Sequence, residues 1–130
     1  MNALTHQEIA DQIAQEERHL AAAPRAFFEA WRRGIEIAGP QWFGNGTSEG
    51  LNRARSKWDL CPDLHRVRVA LGVLSSGERM FLASLCSFYN THEGGTLLGR
   101  CGFHGLADLG GLDLQRRRVI ADLLLNYDGW

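Results

Sequence analysis

At 130 residues, 45% of them hydrophobic and 22% charged, the chain is long enough for one well-formed core and too short for two independent ones. That composition excludes wholesale disorder, and a net charge of −1 excludes a polycation that holds nucleic acid by bulk electrostatics. No run of about eighteen apolar residues occurs, so the expected protein spans no membrane.

The first twenty residues are amphipathic and acidic, unlike the basic-then-apolar layout of a signal peptide. Cys61, Cys86 and Cys101 make an odd number of cysteines, which argues against a disulfide framework. Both features point to the cytoplasm. Charge is uneven along the chain: residues 1–49 carry four basic and seven acidic side chains, residues 50–118 ten and six. The middle of the chain is therefore mildly basic.

Thr5 and Glu8 have the spacing of a capping box, flanked by Leu4 and Ile9 at the positions of a hydrophobic staple. A first helix with Ile9, Ile13 and Leu20 on one stripe is predicted to end near residues 21–23. T-H-Q-E-I-A-D-Q-I-A also looks like the second helix of a helix-turn-helix, but only four residues precede it and the tight turn is missing. Pro24 suits the first position of a second helix, which carries Phe27, Phe28, Trp31 and Ile35 on one face and stops at Gly39-Pro40. Residues 1–39 are accordingly predicted to form a helical hairpin.

Residues 40–60 read as a loop and a short helix. Q-W-F-G-N-G-T-S-E-G has the glycines and Asn45 of a loop, and Trp42 and Phe43 either fold back onto the core or serve as an apolar anchor for a partner. A helix over residues 48–58 would group Leu51, Ala54 and Trp58, leaving Arg53, Arg55 and Lys57 outside. Residues 61–130 are predicted to supply the core helices. H-R-V-R-V-A-L-G-V-L fits both a strand and a helix; helix is adopted because an isolated strand leaves its backbone unpaired.

The strongest local signal is S-S-G-E-R-M-F-L-A-S-L-C-S-F-Y-N at residues 75–90. Ser75 and Glu78 form another capping box, and Phe81, Leu82, Leu85, Cys86, Phe88 and Tyr89 fill a broad apolar arc. This helix is predicted to be central and buried, with charges only in its first turn. Asn90 and Gly94-Gly95 stop it, and a glycine-rich loop tucks Leu97, Leu98 and Phe103 inward. Asp113 caps a last helix whose buried arc is Val119, Ile120, Leu123, Leu124 and Tyr127, with Arg116 on that arc, Arg118 spaced to pair with Asp122, and Trp130 packing back as a lid. The expected fold is a single all-α bundle of five or six helices around residues 76–90.

Chemical motifs fall short of a signature. Cys61-x3-His65 and Cys101-x2-His104 have the donor types of a tetrahedral zinc site without a standard spacing, so core cysteines and surface histidines compete with that reading. A calcium loop over residues 90–101 fails because Cys101 stands where a bidentate glutamate is needed. No phosphate loop, dinucleotide fingerprint or G-x-S-x-G elbow occurs. The chain reads as non-enzymatic and without a cofactor.

Residues 78–130, with F-L-A-S-L-C-S-F-Y-N, Gly94-Gly95, L-G-G-L-D and V-I-A-D-L-L-L-N-Y-D-G-W, resemble small helical accessory proteins of proteobacterial phages and integrative elements. The resemblance implies a host-interaction role and carries no catalytic residues. The functional expectation is a protein-interaction module acting on a host macromolecular complex, using Trp42, Phe43, Arg53, Arg55, Lys57, Arg66, Arg68, Arg116 and Arg117. The alternative is a nucleic-acid-binding module that uses the basic middle and the last helix.

Overall fold

The capping box at Ser75 starts the helix around which the rest is packed. The Glu78 N–H donates to Ser75 Oγ and the Ser75 N–H to Glu78 Oε1, both at 3.3 Å, which satisfies two backbone donors that a helix start would otherwise orphan. In a computed structural model, which describes residues 3–130, that helix runs Ser76–Tyr89, and its residues 81–86 are buried one after another. Six consecutive buried residues mean cover on every side, more than the apolar arc alone requires. Ser84 is accommodated because its hydroxyl donates to the Met80 carbonyl at 2.7 Å. At about 1.5–3 kcal/mol for each large side chain withdrawn from water, Phe81, Leu82 and Leu85 make this helix a principal source of stability.

Five other α-helices surround it. In chain order they are α1 (His6–Ala38), α2 (Ser48–Arg53), α3 (Leu64–Ala70), α4 (the central helix), α5 (Thr91–Arg100) and α6 (Leu114–Leu125). Short 3₁₀ turns lie at Pro40–Trp42, Lys57–Leu60 and Leu106–Gly111, and no strand occurs among the described residues. The all-α bundle with a buried central helix is thus what the sequence specifies, and residues 64–70 are helical. No described helix is long and apolar enough to cross a membrane.

The N-terminal hairpin expected over residues 1–39 is replaced by one 33-residue helix with Pro24 inside it. Pro24 removes one donor, the partner of the Leu20 carbonyl, but Leu20 is exposed and its carbonyl can be met by water. The apolar register also runs through the proline without a phase shift: Ile9, Ile13, Leu20, Phe27 and Trp31 follow one another at four- and seven-residue steps. The helix ends where it should, at Gly39 with φ 111° and its N–H donating to Ile35 O at 2.8 Å.

The glycine-rich stretch after Asn90 is α5 rather than a loop. Asn90 closes α4 and opens α5, its side chain accepting from the Glu93 N–H at 2.9 Å. Gly94 is buried against the α4 backbone at Ser87, where any Cβ would collide with the Ser87 Cα. Glycine here sets a close helix–helix approach, so its packing role outweighs its low helix propensity.

α6 runs antiparallel to α1 and buries Val119, Ile120 and Leu123; Leu124 and Tyr127, expected on the same arc, remain exposed. Asp122 pairs with Arg33 of α1 at 2.8 Å and not with Arg118. The helix expected over residues 48–58 ends at Arg53, leaving Trp58 outside the core. The segment before α3 is tied down by the Gly44 N–H donating to Cys61 O at 2.9 Å and the Asp63 N–H to Trp42 O at 2.8 Å.

Candidate functional site

The basic side chains singled out in the sequence do not converge. Arg53 pairs with Glu49 at 2.7 Å, Arg66 with Asp63 at 3.5 Å, Arg68 with Glu93 at 2.5 Å, and Arg116 with Asp113. Arg117 donates through Nε to the Leu112 carbonyl at 2.7 Å. Arg116 also lies over the Phe81 ring at 5.6 Å, so it belongs to the roof of the core. The four carboxylate partners lie on or at the start of α2, α3, α5 and α6 and neutralise charge locally, whereas Arg117 keeps its charge against a neutral carbonyl. Only Arg55 and Lys57 share a cleft.

Trp42 and Phe43 take the inward option. Phe43 is buried edge-on to Trp31 at 5.6 Å between centroids, and Trp42 packs against the core beside it. Phe43 therefore offers no surface to a partner, which corrects its place among the contact residues.

The two Cys/His pairs do not build a metal centre: no three His, Cys, Asp or Glu side chains among the described residues come together to hold an ion. Cys61 Sγ donates to the Trp58 carbonyl and Cys101 Sγ to the Arg79 carbonyl. Burial pushes both thiols up from their ordinary range, and pushes Cys86 up to about 12. None has the lowered pKa of a nucleophile.

Two surfaces stand out instead. The first is the N-terminal half of α1. From His6 to Ala22 its side chains are exposed, apart from a half-buried Ala14. The face that is sealed lower down is open here: Phe27 and Trp31 are 1% and 0% exposed, whereas Ile13 and Leu20 on the same face are 52% and 63% exposed. Leu4 and Ile9 extend the stripe outward, and Leu125 at the end of α6 lies beside Leu20 toward the body. His19 anchors the base of this arm, its Nε2 2.8 Å from the Leu125 carbonyl oxygen. Beyond that anchor about thirteen residues, or about 20 Å, of helix run outward, with Gln15 and Glu16 beside Leu125 and only Ala14 half-buried. Residues 3–22 carry Glu8, Asp11, Glu16 and Glu17 against Arg18 alone, so the arm is acidic.

The second surface is a cleft of about 310 Å³ beside Pro24. One wall is Phe27 and Phe28 of α1 with Arg25 at the rim; the other is residues 55–58, closed by Asp128. Lys57 is fixed at its floor, 5.4 Å from the centroids of Phe27 and Trp58 and 5.1 Å from that of Trp130, while donating to the Gly129 carbonyl. Trp58 is 60% exposed, the largest open aromatic face on the cleft. The segment is held in place by Asp59, whose carboxylate accepts from the Arg55 N–H at 2.9 Å and the Ser56 N–H at 3.3 Å.

Neither surface is announced by a motif. The arm is legible only in the unbroken register of Ile9, Ile13, Leu20 and Phe27; Trp58 carries no signal beyond its neighbours Arg55 and Lys57. Comparison with protein-family models, curated proteins and solved structures finds no match for the chain.

Proposed function

We propose that this protein is a non-enzymatic interaction module that docks through the arm of α1, its apolar stripe laid into a groove on a partner protein. The uncovered stripe carries the reading: one continuous face is buried where the chain's own core meets it and open where the core ends. A free helix of that length is marginal in water, so a partner that covers Ile9, Ile13 and Leu20 supplies the packing from which helices draw most of their stability. Charge complementarity defines the partner's chemistry. With four carboxylates and one arginine, the arm fits an apolar groove rimmed by lysine and arginine, and it disfavours pairing with a second acidic arm.

A role as an accessory of a mobile element, blocking or recruiting a host complex, rests on the resemblance of residues 78–130 and fits a module whose docking element stands clear of its body. The nucleic-acid reading is weaker because Arg53, Arg66, Arg68 and Arg116 are each paired with a carboxylate, those carboxylates lie on different segments, and the arm would repel phosphate.

The test is capture of a partner from the native host, with the recovered protein purified and titrated directly. Ile9→Asp with Ile13→Asp abolishes binding and leaves the melting transition of the body unchanged. Raising salt weakens the wild-type complex. Undiminished binding by that double variant, together with loss in Arg116→Glu and Arg117→Glu, would move the contact to the body and overturn the arm.

A further inference from the structure

We infer that the cleft between Phe28 and Trp58 is a binding site for a small, flat aromatic anion, the class represented by a nucleoside monophosphate. Three observations converge on that chemistry. The lining is aromatic, with Phe28 and Trp58 both on the cleft and with the Trp58 indole open to solvent. The charged lining is Arg25, Arg55 and Lys57 against Asp128. Arg25 shares its charge with Glu29 at 3.2 Å, but neither Arg55 nor Lys57 has a carboxylate partner for its side chain among the described residues.

Lys57 is the more telling of the two. Its ammonium is held over three rings and gives one of its three N–H groups to Gly129 O, which fixes a cation that has no paired carboxylate in an aromatic slot that Asp128 also lines. A ring inserted between the walls stacks on Trp58, and the anionic group carried by the same molecule lies against Arg55 and Lys57. Stacking on an aromatic side chain is open to any base because every base has a π-face, so the slot selects for a flat ring and a charge and not for one base. A volume of about 310 Å³ sits at the small end of ligand pockets, large enough for one nucleotide and too small for a folded segment.

The site is separate from the stripe of the arm, so the two ideas fail separately. The probe is AMP, titrated into the ¹⁵N-labelled full chain while the four tryptophan indole N–H signals and the backbone amides are followed. The expected result is a saturable shift centred on Trp58, Arg55 and Lys57 with a Kd below about 1 mM. Adenosine, which lacks the anion, and ribose 5-phosphate, which lacks the aromatic base, should each bind at least about tenfold more weakly. Trp58→Ala should weaken AMP at least about tenfold without changing the weak response to ribose 5-phosphate, and Arg55→Glu should do the same without changing adenosine. Both positions are exposed, so both variants should keep the native spectrum elsewhere. Phenyl phosphate binding as well as AMP would place the specificity in the ring and the anion alone, which is the class claimed. The inference is overturned if AMP produces no saturable shift at Trp58, or if ribose 5-phosphate binds as well as AMP.

Discussion

Gly94 and Gly95 are adjacent in sequence and opposite in consequence. A Cβ at Gly94 would be driven into the α4 backbone at Ser87, whereas one at Gly95 would meet nothing within 4 Å. Gly94→Ala should therefore destabilise by about 1–3 kcal/mol or more through overpacking, because backbone cannot swing aside as a side chain can. Gly95→Ala should be neutral or stabilise by up to about 1 kcal/mol, from the entropy removed from the unfolded chain. Urea titrations of the two variants check the pair, and equal effects would mean that α4 and α5 are not in close contact. In sequence the two glycines read as a helix breaker because propensity is local and the packing they permit is not. Cys86 is buried within α4. Its thiol is raised to about 12 by burial, so at pH 8 in native conditions it should resist iodoacetamide while unfolded chain is alkylated at all three cysteines. The folded state holds this proton more tightly than the unfolded state, whose ordinary value is 9.0, so stability is present below pH 9 and is lost as pH rises toward 12. At the acid end the direction reverses. The Ser75 hydroxyl and N–H hold the Glu78 carboxyl below its usual range, and the Arg116 N–H does so for Asp113, so what these caps contribute is lost as pH falls through the lowered values.

Among the elements, α1 shows how a legible pattern can be assembled wrongly. Its start, its stop at Gly39 and its apolar face are all in the sequence, and so is the proline that suggests two helices instead of one. The physical arbiter is phase. A chain that reversed at Pro24 would have no need to keep Leu20, Phe27 and Trp31 on one stripe, and a helix tolerates the missing bond where it falls at an exposed residue, Leu20. Pro24 also marks the boundary between packed and unpacked helix. Amide exchange should consequently be fast across residues 6–20, where only helical hydrogen bonds protect the backbone, and slow from Phe27 to Ile35, where the same helix is buried. Pro24→Ala restores a donor to the Leu20 carbonyl and removes an interior proline that disfavours a helix by about 3 kcal/mol relative to alanine. Protection should then spread outward past Leu20. Unchanged exchange in the arm would show that the proline does not limit its helicity.

For the molecule as a whole, the part hidden from sequence reasoning is the one that joins distant segments. Caps and apolar arcs are local, which is why α4 and α6 can be read directly; the aromatic cluster is made by residues from both ends and the middle of the chain. Trp130 packs edge-on against Trp31 of α1, Trp58 of the 3₁₀ turn and Tyr89 of α4, at centroid distances of 4.9, 5.9 and 5.1 Å, and Lys57 lies over its ring. The sequence offers Trp130 as a lid without saying what lies beneath it. The partners matter because α1, α4 and the Lys57–Leu60 turn otherwise meet only through the core, and Trp31 reaches that turn by one further bond, its Nε1 donating to Leu60 O at 3.0 Å. Removing a tryptophan from such a position should destabilise by about 2–4 kcal/mol, somewhat less than for full burial since Trp130 is only partly buried. For a chain of 130 residues that corresponds to a fall in Tm of about 10 °C in Trp130→Ala. Trp58→Ala, at the open edge of the same cluster, should lower Tm far less. Calorimetry on the two variants separates the outcomes: a small shift in both would mean that residues 126–130 do not hold the cluster together, and a large shift in both would make Trp58 a structural residue instead of the open wall of a binding cleft.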